Sequence, residues 1–372
     1  MHFPCPAEVG DQPSGRRSRW RRPEASIERT PPRYRYVPVE ELDARPHVLV
    51  DGAPRPTTAC TLSHWPGTPT PKELWADLSA EIVLNARARP DVLAAGVELA
   101  SIDHYDADGV ISLALLCVEG LAETHGRMLV EAARVGDFDV VRDRDAALVA
   151  FALGALLDDG CFEVDGATTT GDGVGFRNRC SRAAVEALRI LPGLVADPWR
   201  HVTLWQAEAA AFDAATRALA EGWAGIEDWP DHDMAVVRVD VSHPRASEAA
   251  WQGAPLHRAA VHSATERLRV ASIAGGRVEL RYRYESWVRL VSHRPRPRVD
   301  LASAAQVLTD LEPSGTRWVF DGAGAITAAL HPDGDRPTGL RPETFLDVVA
   351  RHLEVGDQGE PAWDPYAVPV SS

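Results

Sequence analysis

Residues 97–117, Val-Glu-Leu-Ala-Ser-Ile-Asp-His-Tyr-Asp-Ala-Asp-Gly-Val-Ile-Ser-Leu-Ala-Leu-Leu-Cys, restrict the possible folds of this chain more than any other stretch. Val97, Leu99 and Ile102 form a short apolar run that fits a buried strand. His104-Tyr105-Asp106-Ala107-Asp108-Gly109 is a polar turn, and Gly109 lets the backbone turn sharply. Residues 110–121 are then apolar almost throughout, with Ile111, Ala114, Leu115 and Val118 at helical spacing. A helix that starts at a strand end places the turn in the crevice where open α/β sheets bind ligands. His104, Asp106 and Asp108 stand at alternate positions. Two carboxylates and one imidazole so spaced can converge on a divalent cation. Mixed oxygen and nitrogen ligands suit Mn²⁺, with Mg²⁺ the alternative. An Asp before a helix also serves as a cap. A cap needs one Asp, however, and here Asp103, Asp106 and Asp108 surround a histidine.

Two more polar strand ends come earlier. His47-Val48-Leu49-Val50 reads as a strand closed by Asp51-Gly52, and residues 59–62 as a second, closed by Ser63-His64-Trp65-Pro66-Gly67. Asp51 and His64 then lie at the same edge of a parallel sheet as His104. A lone histidine at a strand end can equally be a satisfied turn residue. Residues 69–89 are expected to be helical, with Pro71 in the first turn and Leu74, Leu78, Ile82 and Val83 on one face. Residues 128–155 read as helix, a turn at Gly136-Asp137-Phe138-Asp139, and helix. Asp137 or Asp139 there supplies another carboxylate or caps the second helix. Arg142 and Arg144 lie on a solvated face or hold a phosphate bidentately.

The expected architecture is α/β, a mostly parallel sheet flanked by helices, with a smaller C-terminal α+β domain. The boundaries fall at 1–34 (an Arg/Pro-rich disordered tail), 35–241 (the α/β domain, with a Gly-rich loop at 165–177), 242–355 (the smaller domain) and 356–372 (a loose tail). Residues 182–191 and 202–223 are helical. Asp231-His232-Asp233 is a second possible ligand cluster, but it precedes the strand at 234–241, the wrong end for a parallel-sheet crevice. Strands at 268–273 and 278–287 flank a Gly275-Gly276 turn. A helix at 301–311, strands at 316–320 and 325–330, and a helix at 342–353 follow. The Gly-rich loop is no phosphate-cradling P-loop, since Gly-x-x-x-x-Gly-Lys-Ser/Thr is missing, and no Gly-x-Ser-x-Gly nucleophile turn occurs.

His104-x-Asp106-x-Asp108-Gly109 after an apolar strand, with Ser112 and small residues in the next helix, resembles the first motif of the DHH phosphoesterase superfamily. That group includes single-strand exonucleases, oligoribonucleases and manganese-dependent pyrophosphatases. The resemblance covers about fifteen residues strongly. It implies a doubly wound domain holding two Mn²⁺ ions that activate a water against a small phosphorylated substrate or short oligonucleotide. Asp51, His64 and Asp137 would complete the ligand set. In the family the further ligands follow the first motif. Here Asp51 and His64 precede it, a rearranged order or a coincidence. The Asp-His-His triplet is absent, and Leu62-Ser63-His64-Trp65 has one histidine where the family has two. The family's second domain supplies basic residues to the substrate. Arg281, Arg283, Arg289 and His293 are the candidates, with Arg142 beside them.

Composition narrows the alternatives. A net charge of −15 argues against a general nucleic-acid binder. The basic residues are almost all arginine, Lys72 being the one lysine. Five widely spaced cysteines form neither a disulfide framework nor a zinc motif. There is no run of about 18 apolar residues and no apolar leader. A reducing cytoplasm and no membrane partner are the default. Two other functions stay open: a non-catalytic ligand- or partner-binding protein on a related α/β fold, and a nucleic-acid-associated factor acting through the Arg-rich segment.

Overall fold

A computed structural model describes residues 34–158 and 173–370. The chain from Tyr34 onward builds two sheets. The first has four parallel strands: β1 (Arg35–Tyr36), β2 (His47–Val50), β3 (Thr58–Leu62) and, after helix α1 (Ser79–Ala88), β4 (Leu99–Ser101). Their order is β1-β4-β2-β3, so the three polar strand ends named above emerge side by side along one edge. All four residues of β2 are buried. A parallel strand covered on both faces has no polar side, which is why it reads as an unbroken apolar run. Burying Val48, Leu49 and Val50 stabilises this register by about 1.5–3 kcal/mol per side chain.

Helix α2 (Ala107–Cys117) follows β4, and every residue from Ala107 to Leu116 is buried. A helix apolar all round needs neighbours on every side. Its neighbours are α1, α3 (Leu121–Phe138), α4 (Arg144–Asp158) and α5 (Gly173–Ala196). Gly136 of α3 sits where an added Cβ would lie 2.3 Å from the Ala107 Cβ, so glycine sets the close approach of α3 to the start of α2. Most of the expected Arg/Pro-rich tail and residues 165–172 of the Gly-rich loop lie outside the described residues. Residues 173–177 open α5.

After α6 (Val202–Glu221) come β5 (Ala224–Trp229), β6 (Met234–Val239), the short helices α7 (Ala246–Ala249) and α8 (Arg258–Ala264), and the hairpin of β7 (Arg269–Ala274) and β8 (Arg277–Tyr282). Then follow α9 (Ala302–Leu311), β9 (Trp318–Phe320), β10 (Ala329–Pro332) and α10 (Pro342–Gly356). These strands form one mixed sheet of order β5-β6-β7-β8-β10-β9, in which only β6 and β7 run parallel. Alternation divides its two faces. Met234, Val236, Leu280 and Tyr282 pack with Leu308, Phe345 and Val349 of α9 and α10. Val237, Val239 and Val270 pack with Ala214, Ala218 and Val261 of α6 and α8. The strand expected at 234–241 therefore pairs into this second sheet through β7.

Several local expectations change. The strand expected over 278–287 ends at Tyr282 and gives way to a 3₁₀ turn at Tyr284–Ser286, and the strand expected over 325–330 begins only at Ala329. The helix expected over 69–89 begins only at Ser79, because Trp75 and Leu78 are extended and a single 3₁₀ turn covers Lys72–Leu74. Helix α3 runs through Gly136 and Asp137 to Phe138, where a turn was expected. The last residues are not loose: Trp363 pairs with Arg298 across an isolated bridge and stacks on Trp287 at 5.7 Å. Tyr366 Oη donates to the Leu290 carbonyl at 2.7 Å. Two aromatic side chains bury enough apolar area to order a short segment. No described helix is long and apolar enough to cross a membrane.

Candidate metal centre

Asp51 leaves β2 in a left-handed conformation (φ 45°) and is 1% exposed. Strained backbone of this kind concentrates at functional positions. His64 follows β3, two residues beyond its end. His104, Asp106 and Asp108 join β4 to α2, and Asp137 lies in the last turn of α3. A carboxylate there opposes the helix dipole. Local propensity does not explain it, and the tertiary arrangement does: Asp51, His64, Asp108 and Asp137 converge. His64 Nε2 lies 3.5 Å from Asp51 Oδ1, 3.4 Å from Asp137 Oδ2 and 4.0 Å from Asp108 Oδ2. His104 Nε2 lies 3.5 Å from Asp51 Oδ2 and 2.8 Å from Asp106 Oδ2. Two three-residue sets could each hold a metal ion, Asp51–His64–Asp108 and Asp51–His104–Asp106, and Asp51 belongs to both.

The protonation of His64 tests the fit. Its Nδ1 is 2.6 Å from the Asp77 carbonyl, which can only accept, so Nδ1 carries the proton. Burial pushes the imidazole down to about 4, leaving Nε2 unprotonated and an acceptor, with the Tyr284 hydroxyl 3.2 Å away. The Nε2 atom also faces three carboxylates. Asp137 Oδ2 is buried and has no hydrogen-bond donor among the described residues. Electron-rich atoms do not gather around an empty point in a dry interior without a cation or protons to balance them. A histidine that donates one ring N–H to a backbone carbonyl and turns the other nitrogen inward has the arrangement usual for a metal ligand.

The carboxylates respond as a crowded cluster should. Burial, reinforced by the neighbouring carboxylates, holds Asp51 and Asp137 well above the usual carboxylate range. The same causes push Asp108 up to about 7. Burial disfavours charge on His104, but Asp106, Asp103 and Asp51 outweigh it and raise its pKa well above the ordinary histidine value. Burial also works against ionised Asp106. The pair with His104 and the Gly109 N–H prevail and lower it.

Each candidate side chain is held by its surroundings. Asp106 caps α2, Oδ1 accepting from the Gly109 N–H at 2.7 Å while Oδ2 faces His104. The two oxygens of one side chain thus divide between the cap and the candidate site. Both oxygens of Asp108 accept backbone N–H groups at the start of α1, Ser79 at 2.7 Å and Ala80 at 2.8 Å. Oδ1 also accepts from the Ser112 hydroxyl at 3.5 Å, so the further lone pair is on Oδ2, the oxygen nearer His64. The Ser79 hydroxyl donates to Asp51 Oδ1 at 2.7 Å and accepts from the His64 N–H. Asp103 accepts from His104 Nδ1 at 2.7 Å and from the Ala53 N–H at 3.3 Å. Gly52 makes room for it, since a Cβ there would lie 2.4 Å from Asp103 Oδ1.

The cluster opens on a cleft of about 870 Å³ bordered by Trp65, His104, Asp106 and Asp137. Arg258, Arg277, Arg281 and Arg336 border the same cleft. Arg281 donates to Glu279 and to the Thr327 carbonyl and stays partly exposed. Arg283 also borders the cleft. It is only 4% exposed, and its guanidinium is tied to Glu285 and to the carbonyls of Thr265, His262 and Phe138. Arg142 is exposed ahead of α4 and is not among the cleft-lining residues. Arg289 stacks over Trp75, His293 is exposed, and His232 lies near Glu354, all outside the cluster. Asp139 turns to His262 and Arg258 instead.

Sequence reasoning missed Ser79, Asp77 and Tyr284. Ser79 starts a helix whose start was placed ten residues too early. Asp77 acts through its carbonyl, which carries no sequence signal. Tyr284 arrives from the second sheet, more than two hundred residues from its partner.

No curated protein matches the chain. Among solved structures it is similar to RecJ in complex with Mg²⁺ from Thermus thermophilus, at 14% identity and a TM-score of 0.22 over 88% of this chain and 50% of the other. The chain thus spans about half the length of that protein. A family model described as a family of unknown function, DUF6687, matches residues 32–360. The chain belongs to that family.

Proposed function

We propose that this protein is a metal-dependent hydrolase of phosphoesters or phosphoanhydrides. The observation that carries the reading is the pair of three-residue sets, Asp51–His64–Asp108 and Asp51–His104–Asp106, which share Asp51, with Asp137 Oδ2 a further 3.4 Å neighbour of the unprotonated His64 Nε2. His64, His104, Asp51, Asp106, Asp108 and Asp137 would hold divalent ions, Mn²⁺ or Mg²⁺. Such ions supply Lewis acidity and lower the pKa of water toward neutrality. No side-chain nucleophile is then required, and the motifs that would announce one are absent from the sequence.

The residues of this chain do the rest. Asp103 and the Asp77 carbonyl fix the rings of His104 and His64, so both Nε2 atoms face inward. Trp65 packs against the His104 ring, with the ring centroids 5.1 Å apart. Arg281, with Arg258, Arg277 and Arg336 along the cleft, would attract and neutralise an anionic substrate. Arg281 and Arg258 are paired with Glu279 and Asp139 of the same cleft, so a bound anion would compete with those carboxylates for them. The DHH-like first motif supports the same chemistry.

The test is metal content together with Mn²⁺- and Mg²⁺-dependent hydrolysis of bis-p-nitrophenyl phosphate, wild type beside Asp106→Asn. Bound metal and metal-dependent turnover, both reduced at least a hundredfold in the variant, are the expected result. Metal uptake with no turnover of any phosphoester would leave a binding protein. No metal uptake would refute the reading.

A further inference from the structure

Tyr284 lies in a 3₁₀ turn after β8 and reaches the cluster from the second sheet. Its hydroxyl is 3.2 Å from His64 Nε2. His64 Nδ1–H is committed to the Asp77 carbonyl at 2.6 Å, so Nε2 accepts and the phenol donates. The turn is held firmly. The Arg283–Glu285 pair is buried on one side of it. Arg298, 0% exposed, donates to Ser286 Oγ and to the carbonyls of Arg283, Ala323 and Ile326. The ring packs against Phe138 and stacks on Trp287 at 5.9 Å. The phenol therefore cannot move far, while its O–H can rotate.

The Nε2 lone pair cannot serve both a phenol and a cation. We infer that Tyr284 is a cation-released hydrogen-bond donor: once His64 Nε2 takes a metal ion, the O–H swings toward the cleft and donates to a non-bridging phosphoryl oxygen of the substrate. This rests on the hydrolase reading and adds a substrate-contacting residue to it. Tyr284 borders the cleft, as a group meeting substrate must. A phenol is protonated at neutral pH, hence a donor. A donor aimed at developing phosphoryl charge in a water-poor site acts mainly on the transition state.

The experiment compares wild type with Tyr284→Phe, which keeps the ring packing. Mn²⁺ affinity is measured by calorimetry, and kcat and KM with bis-p-nitrophenyl phosphate. Wild type must break the phenol–imidazole bond to bind metal, so Y284F should bind Mn²⁺ about 2- to 10-fold more tightly. Its kcat should fall about 10²-fold with KM changed less than 3-fold. An unchanged kcat, or weaker Mn²⁺ binding, overturns the proposal while leaving the hydrolase reading standing. Failure of wild type to take up Mn²⁺ overturns both. A measurement on wild type alone guards against a misfolded variant. In protein labelled with ¹⁵N at the histidine rings, His64 should be the Nδ1–H tautomer with a hydrogen-bonded Nε2, and Mg²⁺ should shift Nε2. The opposite tautomer, or no shift with Mg²⁺ bound, overturns the proposal.

Discussion

Asp108 and Asp106 stand two residues apart in one turn, yet their removal should have very different effects on stability. Asp108 is 0% exposed, and its two oxygens accept the Ser79 and Ala80 N–H groups that open α1. Leu78, at the N-cap of α1, has no side-chain acceptor of its own. Asp108 therefore caps a helix from across the core. Asp108→Ala strands two buried donors at about 1–3 kcal/mol each. Removing one member of a repulsive cluster offsets part of this, and the net destabilisation should be about 2–4 kcal/mol. Asp106→Ala removes the cap bond from Gly109 and the 2.8 Å contact with His104 Nε2, but both side chains are partly exposed, so water can replace the lost partner and the cost is about 1–2 kcal/mol. Asp108→Asn should fall between them, because its amide keeps one acceptor and turns an N–H group toward the second donor. The assay is urea unfolding by far-UV circular dichroism in EDTA at pH 7.5, so that metal binding does not enter. An Asp108→Ala midpoint that matches Asp106→Ala would refute the cross-core cap. The comparison also shows why Asp106→Asn is the better probe of chemistry: lost activity in Asp108→Ala would mix unfolding with loss of a ligand.

Two further outcomes can be checked. In metal-free protein Asp108 (about 7), Asp51 and Asp137 hold protons in the folded state that the unfolded chain has released, and His104 does so above its ordinary value. Stability in EDTA should therefore fall as pH rises from about 4 to 8, by about 1.4 kcal/mol per pH unit for each extra proton held. His64, lowered to about 4, opposes this below its ordinary value, so the fall should be steepest above pH 6.5. Mn²⁺ displaces those protons, so its affinity should rise over the same range and melting temperature with Mn²⁺ should lose the downward slope; an unchanged slope would count against the cluster binding metal. Gly52→Ala puts a Cβ 2.4 Å from Asp103 Oδ1 and should swing Asp103 off His104. The expected result is about 10- to 100-fold weaker Mn²⁺ binding, read by calorimetry, with the melting temperature in EDTA little changed.

The α/β class, the buried β2, β4 and α2, and the sheet edge that carries the candidate residues were all legible in the sequence. All three follow from short-range rules. Apolar runs of four residues mark strands buried on two faces, a long apolar run at helical period marks a core helix, and Gly109 marks the turn between them. Because parallel strands present the same end to one edge, Asp51, His64 and His104 could be placed together before any contact was known. Groups whose role comes from a partner far along the chain could not be read this way. The start of α1 is set by Asp108, 28 residues or more away, and so fell at Ser79 instead of near Pro69. Asp137 looked like a turn residue and is the last-turn carboxylate of a longer helix, tolerable because it faces the cluster. Arg283 alternates with Tyr284 as a substrate-facing side chain would, but a buried Glu285 and backbone carbonyls hold it. The aromatic anchors of residues 357–370 order a segment whose sequence looks loose. Periodicity records which side of an element is buried. It carries no record of which distant donor, acceptor or ring waits there, and in this protein those distant partners set the protonation, orientation and reach of the site.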